Sequence, residues 1–270
     1  MKQHEITRPI ELLDDKGHIT EEGWARRPFW RYDRSRIKAP WYRIKEWDYY
    51  CVLSQKRGYG IAFTVSDLGY AGLSSIVWLD FVKRTFTPVD SLKLLTLGKL
   101  GHSPVPERGD LHYKDKKLSI SYLIGDGERR IVAESPSFGE GKGLKCDIRL
   151  AQDMSADSMN IATSWKENRR AFYYNHKVNC MPALGEVIIG NETFKFEPED
   201  SFGVLDWGRG YWTYRNRWYW GSASGLYEGV PIGWNLGYGF SDRTPASENM
   251  IFYNGRAHKL EEIEFHIDPE

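Results

Sequence analysis

Apolar and polar residues alternate along this chain with a period of two in segment after segment. Tyr59, Ile61, Phe63 and Val65 alternate with smaller or polar neighbours, and Leu118, Ile120, Tyr122 and Ile124 do the same. Leu144, Cys146, Ile148 and Leu150 are separated by Lys145, Asp147 and Arg149. Successive side chains of a strand point to opposite faces, so each segment predicts a half-buried strand. Residues 73–82 are apolar on both parities, which predicts cover on both sides.

Turn residues punctuate the pattern. Gly125-Asp126-Gly127 parts residues 120–124 from 130–133, and Gly190-Asn191 parts 187–189 from 193–196. Asn254-Gly255 parts 250–253 from 256–260 and is the strongest hairpin signal, because a type I′ turn needs positive φ at both central positions. Helical signals are few. A short helix is predicted at residues 90–95, capped by Asp90 or Ser91, and Glu199-Asp200-Ser201 predicts a single turn. Residues 262–267 read as a strand with nothing to close it, so the chain is expected to stop short of its last strands.

Many short strands joined by hairpins predict a mostly β protein. The expected architecture is two antiparallel barrel- or sandwich-like domains with few short helices. Residues 1–45 form an N-terminal wrapping segment, 46–180 a first barrel-like domain and 181–270 a second one. The boundary is set at residues 180–185, where a new hairpin begins.

Composition narrows the function. Lys+Arg and Asp+Glu are both 37, so the formal net charge is zero. Nucleic-acid binding needs an excess of positive charge on one face, and none is expected here. The most basic stretch, residues 26–43, is interleaved with Trp30, Tyr32, Trp41 and Tyr42. It reads as an irregular segment whose Arg stems lie on aromatic rings. The N-terminal sequence lacks the apolar core of a secretory signal, and no run approaches the roughly 20 apolar residues of a membrane helix. A cytoplasmic location without a membrane span is therefore expected. Cys51, Cys146 and Cys180 are far apart and read as reduced thiols. The seven histidines show no ligand spacing, so neither a metal nor a cofactor is expected. Residues 221–225, Gly-Ser-Ala-Ser-Gly, carry Ala where a nucleophile elbow needs Ser.

The densest chemistry lies in residues 206–225. If extended, this run places Trp212, Tyr214, Asn216, Trp218 and Trp220 on one face and Tyr211, Thr213, Arg215, Arg217 and Tyr219 on the other. A turn near Arg215-Asn216 would split that face between two paired strands. Rigid rings with polar edges beside fixed charges are what a ligand pocket uses. Downstream, Asn235, Glu248 and Asn249 place polar groups inside apolar strands. Buried, they need hydrogen-bond partners. The candidate acid/base residues are Asp206 and Glu248. The candidate ligand-binding residues are Arg209, Tyr211, Trp212, Tyr214, Arg215, Trp218, Trp220, Asn235 and Asn249. A Trp-filled structural core is the competing reading of the same residues.

Several of these stretches carry a resemblance. Leu13-Asp14-Asp15-Lys16-Gly17, Gly23-Trp24-Ala25-Arg26-Arg27-Pro28, Lys45-Glu46-Trp47-Asp48-Tyr49-Tyr50, Asp67-Leu68-Gly69-Tyr70-Ala71-Gly72, Leu205-Asp206-Trp207-Gly208-Arg209-Gly210, Asn235-Leu236-Gly237-Tyr238-Gly239 and Glu248-Asn249 resemble domain-of-unknown-function family 2804. That family is distantly similar to the lipocalin-like (calycin) group, which includes carotenoid hydratases. The resemblance implies two β-barrels side by side with a pocket for a hydrophobic molecule, and it implies no catalytic residues. The expected function is binding of a hydrophobic small molecule in a Trp/Tyr-lined pocket, with metal-free acid/base conversion as its enzymatic extension. The alternatives are a carbohydrate-binding or glycoside-active β protein and a non-enzymatic scaffold.

Overall fold

The computed structural model describes residues 3–125 and 127–267; Asp126 of the Gly125-Asp126-Gly127 turn lies outside the described residues. The N-terminal segment contributes three short strands, β1 (Ile10–Glu11), β2 (Gly23–Ala25) and β3 (Trp30–Arg31), and two 3-10 turns. A meander follows: β4 (Ile44–Ser54), β5 (Tyr59–Asp67), β6 (Ala71–Asp80), β7 (Thr85–Leu94), β8 (Leu111–Lys114), β9 (Ser119–Gly125), β10 (Glu128–Ser135) and β11 (Leu144–Ala151). Next come β12 (Met159–Trp165), the long β13 (Asn168–Ile189), β14 (Glu192–Phe196) and β15 (Ser201–Tyr211). The last four are β16 (Tyr219–Tyr227), β17 (Val230–Tyr238), β18 (Met250–Tyr253) and β19 (Arg256–Lys259).

Ten strands form one continuous antiparallel path in the order β7-β6-β5-β4-β15-β13-β11-β10-β9-β8. The path curls until its ends meet. The Ser91 hydroxyl of β7 lies 2.8 Å from the Tyr113 hydroxyl of β8, and Lys117 Nζ donates to the Asp90 carbonyl at 3.1 Å. The interior is filled by Tyr50, Ile61, Phe63, Tyr122, Ile148, Trp207 and their neighbours, all buried. This is a lipocalin-like curled sheet. A second, four-stranded sheet runs β16-β17-β18-β19. It packs through Met250, Phe252 and Ala257 on Met159, Ile161, Ala171 and Tyr173. Those β12 and β13 residues alternate with Ala162, Phe172 and Tyr174 of the interior, so the small sheet covers the outer face of the large one.

β13 joins the two layers. Its first half pairs with β12 and β15, and its second half with β11 and β14. Between Val178 and Met181 the pairing with β15 slips at a bulge, where Cys180 has φ 60°. Residue 180 thus falls inside one continuous strand. At the bulge Asn179 Nδ2 donates to Ser222 Oγ at 2.8 Å and the Ala223 carbonyl at 3.0 Å, while the Cys180 amide donates to Ser224 Oγ at 2.9 Å. These bonds anchor β16.

The strands follow the period-two pattern closely. β11 buries every second residue, and Asn254 and Gly255, both at positive φ, close the predicted β18–β19 hairpin. Three expectations are corrected. Residues 90–95 are not helical: residues 90–94 belong to β7, because Asp90, Ser91 and Leu92 pair with Ser75, Ser74 and Leu73 of β6. Residues 73–82 are not covered on both sides. Leu73, Phe81 and Val82 are exposed, the last two in the turn between β6 and β7. Residues 262–267 carry no strand pairing. In residues 26–43 aromatic rings and arginine stems pack together. Trp30 and Tyr32 are buried, Arg26 lies over Trp24, and Arg43 lies over Tyr211 and Tyr214. No helix among the described residues is long and apolar enough to cross a membrane.

Candidate functional site between the two sheets

Strand parity creates the site. On β4, Glu46, Asp48, Tyr50 and Val52 face the interior, while Trp47, Tyr49, Cys51 and Leu53 face outward. On β15, Leu205, Trp207 and Arg209 face inward, and Phe202, Val204 and Asp206 face outward. On β13, Tyr173, Asn175 and Lys177 share the outward face. The register sets Asp206 beside Tyr49 on one side and Lys177 on the other. Trp212, Trp218, Trp220, Phe240 and Glu248 lie over the outward side chains and line with them an open cavity of about 300 Å³.

Three charged residues meet in its floor. Lys177 is buried, and its Nζ lies 3.1 Å from Asp206 Oδ2, 2.8 Å from Glu248 Oε2 and 4.5 Å from the centre of the Trp220 ring. Burial alone would lower the Lys177 pKa, but Asp206 and Glu248 together outweigh it and hold the ammonium above its ordinary value. Asp206 is well supplied with donors. Its Oδ1 accepts from Trp47 Nε1 at 3.2 Å and from Asn175 Nδ2 at 3.0 Å. Glu248 Oε2 also accepts from Asn235 Nδ2 at 3.0 Å, and Asn235 Oδ1 in turn accepts from Trp220 Nε1 at 2.7 Å. Among the described residues, Glu248 Oε1 receives no hydrogen bond; it is the free acceptor of the cluster.

Two glycines make room for this arrangement. A Cβ on Gly237 would sit 2.0 Å from Glu248 Oε1, and a Cβ on Gly208 would sit 1.9 Å from the Trp47 ring. Without glycine at these positions, neither the carboxylate nor the indole could lie flat on its neighbouring strand.

The roof is aromatic. Trp212 lies edge-on to Trp47 at 5.0 Å and to Phe240 at 4.9 Å, and Trp218 lies 5.2 Å from Phe240. Phe240 also packs edge-on to Tyr173 at 4.9 Å. The Trp212 Nε1 donor is buried and has no partner among the described residues. Burial pushes the hydroxyls of Tyr49 and Tyr173 to ionise far above the usual tyrosine range, so both stay neutral. The wall is therefore uncharged, and all formal charge is concentrated in the floor. Three larger depressions lie elsewhere. One of about 690 Å³ runs between Lys166, Arg243 and Glu261, one of about 440 Å³ lies beside the β13 bulge, and one of about 380 Å³ lies between Ser135, Lys142 and Ile188. None combines a buried ion cluster with an aromatic roof.

Residues 3–270 match the family model described as Domain of unknown function (DUF2804). The chain belongs to that family. No curated protein of known role matches the sequence. Among solved structures, CghA in complex with Sch210972 is similar at 9% identity over 80% of this chain and 59% of that one, with a TM-score of 0.48. Kievitone hydratase from Nectria haematococca is similar at 11% identity over 79% of this chain and 63% of that one, with a TM-score of 0.42. The chain thus spans about three fifths of the length of either protein.

Within this member of DUF2804 the nominated residues divide into two groups. Asp206, Glu248, Trp212, Trp218 and Trp220 line the cavity, with Asn235 directly behind Glu248. Asn249 is buried one layer further back, where its Oδ1 accepts from the Gly237 amide at 2.7 Å. The others lie elsewhere. Arg209 is fully buried on the opposite face of β15, bound to Asp48 at 2.8 Å. Tyr211 packs beneath Arg43, with its hydroxyl accepting from Asn168 Nδ2 at 3.3 Å. Tyr214 is 86% exposed, and Arg215 is exposed beside it.

The single extended face of residues 212–220 does not form, because the chain leaves the strand after Tyr211 and re-enters one at Tyr219. Thr213 and Asn216 bond to each other and close the intervening turn. Sequence reasoning missed Lys177, Asn175, Tyr173, Trp47, Tyr49 and Phe240. A signal for Lys177 was present: a lysine flanked by Tyr173, Tyr174 and Val178 in mid-strand must have a partner when buried.

Proposed function

We propose that this protein binds a hydrophobic small molecule in the cavity between its two sheets, with Glu248 as the group that engages the ligand's polar end. The observation that carries this reading is the combination of an uncharged aromatic wall with a buried ion cluster in which one carboxylate oxygen receives no hydrogen bond among the described residues. Large rings supply apolar contact and a few fixed polar groups set orientation, as ligand pockets require. In the enzymatic extension of this reading, Glu248 Oε1 is the atom that exchanges a proton with the bound molecule. The other Glu248 oxygen is held by Lys177 and Asn235, and Asp206 is held by Trp47, Asn175 and Lys177. A glycosidase is less well supported. Its two carboxylates must flank the sugar with open space between them, whereas the Lys177 ammonium fills the space between Asp206 and Glu248.

The test is titration with a panel of apolar ring and chain compounds, followed by tryptophan emission. A saturable change is expected in the wild type, weakened in Trp218→Ala. No response to any compound, or an identical response in Trp218→Ala, contradicts the reading.

A further inference from the structure

A second, narrower recess adjoins the cavity, with the edge-on Tyr49 and Trp220 rings at their common border. It holds about 80 Å³ and is bounded by Tyr49, Cys51, Leu53, Phe202, Val204 and β16 residues 222–224. Tyr49 and Trp220 line both spaces. The recess follows the outward faces of two paired strands. Asp206 is opposite Tyr49, Val204 opposite Cys51, and Phe202 opposite Leu53. Along this line the lining changes from ionic to apolar over four residues of strand, about 13 Å.

The far wall adds no charge. The Ser222 hydroxyl donates to the Trp234 carbonyl at 3.3 Å and accepts from Asn179, and the Ser224 hydroxyl accepts from the Cys180 amide, so both are committed to the β13 bulge. Burial pushes the Cys51 thiol up to about 11, so it stays neutral. At the other end, two carboxylates and one ammonium leave the floor with one excess negative charge.

The geometry points to a ligand with a head and a tail: a slender alkyl chain lying in the Cys51–Val204 recess, with a hydrogen-bond-donating head, amine or hydroxyl, at Glu248 Oε1. The inference rests on the cavity being a ligand site, and it specifies the ligand's shape and polarity. A carboxylate head would meet Glu248 and Asp206 with the wrong sign. A compact fused-ring molecule would leave the recess empty.

The experiment uses 1-alkylamines, 1-alkanols and alkanoates from butyl to dodecyl, titrated into the full chain by calorimetry. In the wild type, affinity for amines and alkanols is expected to rise by up to about fourfold per methylene until the recess is full. Alkanoates of equal length should bind at least about tenfold more weakly. Val204→Phe, which fills the recess, should abolish the gain with chain length and leave the butyl compounds unchanged. Glu248→Gln should remove the preference for amines over alkanoates. Val204→Ala guards against a folding defect in the larger substitution and should preserve the chain-length gain.

Loss of the gain in both Val204 variants, or its persistence in Val204→Phe, overturns the tail assignment. Equal affinity for alkanoates overturns the head. If ring compounds bind and alkyl chains do not, the cavity remains a ligand site and the inference fails; if neither binds, the underlying reading fails.

Discussion

β4 and β15 carry two buried ion clusters, one on each face, and the clusters are built differently. On the interior face, Arg209 binds Asp48 at 2.8 Å, lies 3.8 Å from Glu46, and donates to the carbonyls of Trp47, Gly208 and Ser103. Arg34 reaches Glu46 from the other side at 2.6 Å, and the Tyr32 hydroxyl donates to it at 2.9 Å. Two guanidinium groups and two carboxylates balance; Arg209, Asp48 and Glu46 are buried, and Arg34 closes the cluster at the surface. On the outward face, Lys177 serves two carboxylates, the balance is one negative charge, and Glu248 lines a cavity. Both clusters need burial to be strong. The second also has a free acceptor and a space beside it. Buried charge is common to both faces; only the outward cluster combines a hydrogen-bond acceptor without a partner among the described residues with a neighbouring cavity.

The largest expected effect separates the two faces. Arg209→Met should lower unfolding free energy by about 3–5 kcal/mol, because Asp48 loses its buried ion partner and Glu46 keeps only Arg34. Lys177→Met should cost less, about 1–3 kcal/mol, because the freed carboxylates border a cavity that water can enter. Urea denaturation of both variants measures this, and equal losses would erase the distinction.

Next in size is the glycine beneath Glu248. Gly237→Ala must push the carboxylate away and should weaken binding of any donor-headed ligand about tenfold, ~1.4 kcal/mol. Calorimetry on the folded variant checks this, and unchanged affinity would show that Glu248 does not contact the ligand.

Acid sensitivity should come from the neighbouring histidines rather than from the cavity. His102 and His176 are buried, and desolvation holds both below the ordinary value of 6.5. Below pH 6.5 the unfolded chain therefore binds protons that the folded chain refuses. Stability should fall with acidification by about 1.4 kcal/mol per pH unit for each histidine, until that histidine protonates inside the fold. His176→Asn should flatten this slope in thermal melts between pH 6.5 and 5. The smallest effect on stability is expected from Trp218→Ala. Its ring is half-exposed at 49%, so the loss should stay within about 1 kcal/mol even as ligand-induced emission changes fall.

Much of the fold was legible because period-two alternation survives wherever one face is buried and the other wet, as in β5 and β11. It failed at residues 90–95, where a capping pattern overlies a strand whose pairing with β6 decides the outcome. Half of the site was legible as well. Aromatic density pointed to Trp212, Trp218 and Trp220, and the need of buried carboxylates for partners pointed to Asp206 and Glu248. What was missing is long-range pairing. β15 lies between β4 and β13, so Trp47, Asp206 and Lys177 become neighbours across more than a hundred residues. No local pattern reports that. Local spacing also cannot fix parity through a turn, which is why Arg209 and Tyr214 were grouped with residues from which the strand face and the turn at 212–218 separate them.

The central claim is that the ligand site lies outside the curled sheet, beneath the small one. The most direct measurement is the anomalous scattering of a bromine-labelled alkyl ligand bound in crystals of the protein. The account predicts a peak on the outward face between Glu248 and Val204, within reach of Trp220. A peak inside the curled sheet, among Tyr50, Tyr122 and Trp207, would contradict it.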